Sequence, residues 1–312
     1  MNLTIMMYHY VRPPEAPFPR LKSRSLQDFR GQLDYLQMRH NMVTMEDVLA
    51  AIDGHQTLPQ QAALLTFDDG YSDHYRYVFP ELLTRKITGA FYVPACTVRE
   101  RKLLSVNKIH LLLATLSDVS AIVGTIDRAV DDAHGRGQPD VQTAQAYHHE
   151  YMKASRLDTA EVIYVKRMLQ HALPEAFREE ILDQLLRRFV TSDVRALADE
   201  FYASAANLAE MRSAGMHIGG HGDRHLWLNR CSVEECAQEV AASRALLKSL
   251  GVKEAELTFC YPYGGFTADT IECVKREGFR AAVTTEVAIA GLATANRFRL
   301  PRLDTIDLPV AA

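Results

Sequence analysis

The chain has 312 residues and a formal net charge of -4 at pH 7, so charge gives no reason to expect nucleic acid or an anionic membrane as a partner. Hydrophobic residues make up 47% of the chain and charged residues 24%, which excludes a disordered or fibrous protein and suits a globular one. The length is enough for one large α/β domain.

Five cysteines stand at irregular positions without a C-x-x-C pair, which argues against a disulfide framework or a cysteine zinc site. The first residues, MNLTIMMYHYV, are typical of a strand rather than of a secretion signal. No apolar run approaches the length of a membrane span. We therefore expect a cytoplasmic protein without a membrane span, while the sequence leaves the oligomeric state open.

The first hundred residues alternate between strand and helix patterns. Strands are predicted for LTIMMYHYV, AALLTF and TGAFYVPA, which are apolar and rich in β-forming residues. Helices are predicted for SLQDFRGQLDYLQMRH, with Ser25 as N-cap, and for TMEDVLAAI and YVFPELLTRK. This alternation predicts a parallel α/β sheet or barrel.

The pattern changes over residues 99–211, where amphipathic helical segments follow one another. The weak SAIVGTI is the single strand candidate in this region. The α/β alternation returns with GMHIGGHGDRH and continues to RFRLPRLD. We predict one α/β domain over residues 1–312, interrupted by an all-helical insertion at 99–211 that acts as a lid or an assembly surface.

The segment ALLTFDDGY places two carboxylates, Asp68 and Asp69, directly after a buried strand. A turn is the simple alternative, because Asp-Gly is a common turn dipeptide. Two adjacent acids at a strand end also suit chemistry, with one carboxylate binding a metal ion and the other accepting a proton. The choice between these readings depends on the rest of the chain.

The segment HIGGHGDRH contains two histidines that could bind a metal ion together with one of these acids. His221 and His225 are spaced i, i+4, which on a helical turn puts two imidazoles on one side. A pair of structural histidines is the alternative. Because the pair follows an apolar strand, it is predicted at the same rim of an α/β barrel as the two acids. Two histidines and one carboxylate leave an open position on Zn²⁺, the arrangement of a catalytic site.

With a third segment, TFCYPYGGF, the sequence resembles the polysaccharide deacetylase family, which comprises the NodB-homology or carbohydrate esterase family 4 enzymes. TFDDG resembles the first motif of the family. Residues 221–225 resemble the second, and Cys260-Tyr261-Pro262-Tyr263-Gly264 resembles the third. MYHYV and FRLPRLD resemble further segments of the superfamily, so the resemblance covers roughly residues 1–98 and 212–305.

The resemblance implies a distorted (β/α)7 barrel that binds one divalent metal ion, zinc first, with cobalt, nickel or manganese as alternatives. It implies a hydrolase that removes an N-acetyl or O-acetyl group from a saccharide. By motif position, Asp68 matches the catalytic base of the family. Asp69, His221 and His225 match its metal ligands, and Tyr263 matches the residue whose backbone N–H helps to form the oxyanion hole.

The sequence departs from the family pattern in three places. Gly222 replaces the usual Ser or Thr, which removes a hydrogen bond expected to steady the histidine loop. Cys260 replaces the Arg that orients the base, and we expect Arg302 to supply that charge. The late Leu-x-His motif is absent, so we predict His9 as the general acid that protonates the leaving amine, with a packing role as the alternative.

The leading hypothesis is a metal-dependent deacetylase acting on a sugar nucleotide, a lipid-linked sugar or another precursor of a surface polysaccharide. Two alternatives stay open: hydrolysis of a C–N bond in a non-sugar amide, imide or formamide, and an inactive saccharide-binding protein. Trp227 and Tyr261 are candidate substrate contacts, although Trp227 suits barrel packing equally well.

Overall fold

The computed structural model describes residues 2–155, 158–292 and 296–308. Across these ranges, no helix combines the length and the apolar character that crossing a membrane requires.

Two compact units make up the chain. The barrel unit consists of Met1–Pro14, Ser23–Lys102 and Ala198–Ala312. The helical unit consists of Glu15–Lys22 and Leu103–Leu197.

The secondary structure follows the predicted alternation. The strands are β1 Asn2–Tyr8, β2 Val11–Arg12, β3 Arg24–Ser25, β4 Asn41–Met42, β5 Ala62–Phe67, β6 Ala90–Val93, β7 His217–Gly220, β8 Thr258–Cys260, β9 Ala281–Val283, β10 Ala290–Gly291 and β11 Leu303–Asp304. The helices are α1 Leu26–Arg39, α2 Met45–Ile52, α3 Phe79–Arg85, α4 Ala95–Arg99, α5 Ser105–Thr115, α6 Ser120–Gly135, α7 Ala144–Tyr151, α8 Ala160–Arg167, α9 Glu175–Phe189, α10 Val194–Phe201, α11 Ala205–Ser213, α12 Val233–Ser249 and α13 Ala268–Arg276.

The main sheet of the barrel unit runs in the order β1-β5-β6-β7-β8-β9, with every neighbouring pair parallel. A closing segment, residues 300–304, completes it. Leu300 pairs with Val283 of β9, and β11 pairs in parallel with β1. With this segment as the seventh parallel strand, the predicted (β/α)7 barrel is confirmed. The short strands β4 and β10 extend the sheet beside β5 and β1.

The strands carry apolar side chains on both faces, as strands of a parallel sheet do when both faces are covered. One set, which includes Phe67, Phe91 and Phe259, packs with residues of the surrounding helices. The alternate set, which includes Leu64 and Tyr92, forms a second cluster that contains residues of β1, β8, β9 and α2. The continuous apolar run AALLTF of β5 is buried throughout for this reason.

Helix ends are set by local sequence. The Ser25 side chain accepts a hydrogen bond of 3.0 Å from the Asp28 N–H at the start of α1, as predicted. Helix α12 begins in a capping box between Ser232 and Glu235, and the chain turns at Gly251 with φ 75°.

The helical unit contains α5 to α9. SAIVGTI lies at the start of α6, so the weak strand candidate is a helix, in keeping with its i, i+4 pair of buried residues Ile122 and Ile126. The buried Lys108 pairs with Glu179 at 3.0 Å and Asp183 at 2.6 Å, which compensates its charge. The long segment of this unit, Leu103–Leu197, is shorter than the predicted insertion 99–211, because residues 99–102 and 198–211 group with the barrel. A role as lid or assembly surface stays a prediction.

Candidate active site

The carboxyl ends of three parallel strands, β5, β7 and β8, bring the predicted residues together. Asp68 and Asp69 follow β5, His221 follows β7, and the third motif begins in β8 and continues past its end. Because parallel strands end at the same rim of a barrel, side chains far apart in sequence meet there.

Asp69, His221 and His225 converge on one point. Asp69 Oδ1 lies 3.3 Å from His221 Nε2 and 3.2 Å from His225 Nε2, and each of the three residues is buried. Their ligand atoms lie within 4.8 Å of one another. Asp69 and His225 have φ of 75° and 59°, left-handed conformations that are uncommon outside glycine and that collect at functional sites.

The chemistry of these three atoms fits a divalent metal ion. His221 Nδ1 lies 2.8 Å from the Cys260 carbonyl oxygen and donates to it, which leaves the lone pair of the neutral ring on Nε2. Asp69 Oδ1 is buried and makes no hydrogen bond within the described part of the chain. A carboxylate oxygen that faces imidazole nitrogens in a dry site suits a cation of the zinc type.

A second group, formed by Asp68, His221 and Cys260, has similar spacing, but a positively charged side chain already lies against it. The Arg302 guanidinium lies 2.7 Å from Asp68 Oδ2 and 3.2 Å from Cys260 Sγ. Its positive charge opposes a metal ion at that position. The better candidate for a metal site is therefore the group formed by Asp69, His221 and His225.

Asp68 is held by Arg302 in a two-pronged arrangement. Arg302 Nη1 donates to Asp68 Oδ1 at 2.8 Å, and Nη2 donates to Oδ2 at 2.7 Å. Burial alone would raise the pKa of Asp68, but Arg302 outweighs burial and lowers that pKa to about 2. Asp68 is thus an ionised, oriented carboxylate beside the candidate metal site. Arg302 therefore lies where it can orient Asp68, the task for which Cys260 has no charge.

His9 follows β1 and lies on the exposed side of Asp68. Its Nε2 is 3.9 Å from Asp68 Oδ2, and 43% of its side chain is exposed. Its carbonyl oxygen accepts a hydrogen bond of 2.8 Å from His74 Nε2, which holds the backbone of this segment. The structure therefore places His9 where solvent and Asp68 meet, and its role as an acid stays a prediction.

Tyr263 lies in the turn after β8 with φ 57°. Its ring meets His225 edge-on, with centroids 4.5 Å apart, and stacks on Trp227 at 4.3 Å. One face of the Trp227 indole is therefore covered by protein, which favours packing over a sugar platform. Tyr261 is fully buried, and its hydroxyl donates to the Phe298 carbonyl at 3.0 Å. Tyr261 is thus a core residue, with no exposed atom for the substrate contact predicted for it.

The histidine loop differs from the predicted helical turn. Residues 221–227, which follow β7, form no helix, and the left-handed turn at His225 brings this ring beside His221. Sequence reasoning missed Glu239, a buried residue of α12. Its Oε2 accepts 2.9 Å hydrogen bonds from the backbone N–H groups of Asp223 and Arg224. Glu239 therefore steadies the loop that contains Gly222.

A second missed residue is Tyr71, two positions after Asp69. Its hydroxyl donates to Asp69 Oδ2 at 2.5 Å. An aromatic residue inside the TFDDGY segment was the available signal, but its orientation depends on contacts made far away in sequence. Tyr71 thus contacts a candidate metal ligand directly, and Glu239 contacts the loop that carries two of them.

Comparisons with known proteins agree with this site. The family model described as polysaccharide deacetylase matches residues 172–282. This stretch contains His221, His225 and the third motif, and it lies outside the segment of Asp68 and Asp69. The match confirms the resemblance predicted from the motifs. A search of curated proteins gives no match.

Solved deacetylase structures share the fold. The Streptococcus pyogenes deacetylase PplD, in complex with acetate, is 15% identical with a TM-score of 0.57, over 97% of this chain and 92% of that chain. IcaB from Ammonifex degensii is 20% identical with a TM-score of 0.55, over 97% and 91%. A de-N-acetylase from Aggregatibacter actinomycetemcomitans is 15% identical with a TM-score of 0.56, over 98% and 96%.

Proposed function

We propose that this chain, a member of the polysaccharide deacetylase family, is a metal-dependent hydrolase that removes an N-acetyl group from a saccharide. The single observation that supports it most strongly is the pairing of two buried sites. A three-ligand group for a cation, with Asp69 at its centre, lies beside the Asp68 carboxylate that Arg302 orients. A binding protein has no evident need for both.

The reaction requires water to replace an amine at the acetyl carbon. Bound at Asp69, His221 and His225, the metal ion would polarise the carbonyl and lower the pKa of water. Asp68 then accepts a proton from the water as its oxygen forms a bond with the acetyl carbon. The backbone N–H of Tyr263 donates to the oxyanion. His9 gives a proton to the leaving nitrogen as the C–N bond breaks, which yields acetate and a free amine.

The residues divide these tasks because their surroundings differ. Asp68 is kept ionised by Arg302, so it is able to accept a proton at neutral pH. His9 is partly exposed, so solvent reaches its side chain. Hydrolysis of an amide uses both a group that accepts a proton from water and a group that gives one to the leaving nitrogen.

The acyl group and substrate class are proposed by similarity. One of the similar structures is that of a de-N-acetylase, and another is that of a deacetylase in complex with acetate. We propose a cytoplasmic location and zinc as the metal ion. In that setting, the substrate is an acetylated precursor of a surface polysaccharide, carried on a nucleotide or a lipid.

The test is to incubate zinc-loaded protein with acetylated sugar nucleotides, lipid-linked sugars and oligosaccharides, and to measure acetate and the deacetylated product by mass spectrometry. We expect release from at least one class, and its loss in Asp68→Asn. Activity on small amides, imides or formamides alone would support the alternative hydrolase. Saccharide binding without turnover in the zinc-loaded protein would support an inactive binding protein.

A further inference from the structure

The two oxygens of the Asp69 carboxylate have different partners. Oδ1 faces His221 Nε2 and His225 Nε2 at 3.3 and 3.2 Å. Oδ2 accepts a hydrogen bond of 2.5 Å from the Tyr71 hydroxyl. The mechanism above uses Oδ1 as a metal ligand and does not involve Tyr71, so the hydrogen bond to Oδ2 calls for a separate explanation.

Tyr71 is held rigidly. Its side chain is almost fully buried, and its ring stacks on Tyr10 with centroids 4.2 Å apart and planes 18° apart. The Phe201 ring meets it edge-on at 5.4 Å, and the Tyr71 backbone pairs with Tyr202. Because ring and backbone are both fixed, the hydroxyl reaches Asp69 from one direction.

The hydroxyl of Tyr71 is the donor in this contact, and the Asp69 carboxylate is the acceptor. A hydrogen bond to a charged acceptor is among the stronger ones in proteins, so Oδ2 stays occupied.

We propose that Tyr71 is a positioning residue that limits Asp69 to one ligand oxygen. A carboxylate that binds through one oxygen suits a four-coordinate ion such as Zn²⁺, whereas Ca²⁺ accepts carboxylates through both oxygens. Tyr71 thus contributes to the choice of metal. This inference rests on the proposed function, because it concerns the same cation site.

The experiment compares metal binding by the full chain, after removal of metal, in three forms. Tyr71→Phe removes the hydroxyl and keeps the ring. Tyr75→Phe is the matched control, because it removes a phenol–carboxylate hydrogen bond of 2.6 Å to Glu210 at the surface. Competition with a chromophoric chelator measures the Kd for Zn²⁺. We expect Tyr71→Phe to raise it about 10–100-fold, the usual effect of losing such an outer partner, and Tyr75→Phe to leave it unchanged.

Co²⁺ provides a second measurement that loss of packing would not reproduce. Its visible absorption weakens as the coordination number rises, so the band should weaken in Tyr71→Phe, where Oδ2 is free to bind, and persist in Tyr75→Phe. Circular dichroism of the metal-free proteins should be the same in all three. A loss of fold in Tyr71→Phe would contradict the inference by making the phenol a folding group.

Two outcomes separate this inference from the proposed function. If Tyr71→Phe binds Zn²⁺ as tightly as the wild type and gives the same Co²⁺ spectrum, the inference is overturned and the cation site stands. If the wild type binds no Zn²⁺, the proposed function fails and this inference fails with it.

Discussion

Arg302 and Asp68 stand 234 residues apart in the chain and meet through two parallel hydrogen bonds in the buried part of the barrel. The other Arg302 contacts are as specific: Nε donates to the Thr284 carbonyl at 2.8 Å, and Nη1 also donates to the Thr66 hydroxyl at 3.0 Å. A planar guanidinium anchored on several sides fixes the direction of the carboxylate as well as its charge, which a lysine ammonium would not do.

We expect Arg302→Gln to lower kcat/KM by about 10²-fold, because the base loses its orientation. The pH profile should change as well. Arg302 holds the pKa of Asp68 at about 2, and without that charge burial raises it. The base acts when ionised, so the acidic limb of kcat/KM should move to higher pH. Arg299→Gln is the control, because Arg299 pairs with Glu286 at the surface. An acidic limb at the same pH in Arg302→Gln would show that Arg302 does not set the pKa of the base.

The candidate ligands can be tested by metal content. Single alanine variants of Asp69, His221 and His225 should each lose stoichiometric zinc in elemental analysis, because a three-ligand site rarely keeps its ion with two. His55→Ala is the control, since this histidine is exposed. Full zinc retention in all three variants would show that the ion binds elsewhere.

The acid role of His9 has a kinetic signature. We expect His9→Ala to lower kcat about 10²–10⁴-fold, because general acid catalysis typically contributes that much. The variant should keep its metal ion, since His9 is not among the converging ligands. The alkaline limb of kcat against pH should flatten or move. If that limb is unchanged in His9→Ala, another residue protonates the amine.

The helical unit can be removed to test its part in recognition. All the candidate ligands and Asp68 lie in the barrel unit, so replacing residues 105–195 with a short linker should leave zinc binding intact. We expect KM to rise or substrate choice to change, while the zinc content of the shortened protein stays stoichiometric. Wild-type kinetics after the deletion would exclude this unit from recognition.

The rim of the barrel was predictable because strand-end positions can be read from apolar runs. Asp69, His221 and His225 each follow such a run or lie close behind it, and parallel strands end together. The left-handed turn at His225 was not predictable, since the Glu239 contacts that steady its loop come from α12. The burial of Tyr261 depends on the Phe298 backbone, which is distant in sequence.

The segment that closes the barrel also carries Arg302, so pairing of the sheet and orientation of the base depend on the same few residues. Leu300 pairs with Val283 of β9, and β11 pairs with β1. The candidate metal ligands lie elsewhere in the chain, whereas the group that orients Asp68 lies in this segment. Displacement of the segment would therefore lower turnover more directly than metal content, and the two measurements together would report whether the barrel is closed.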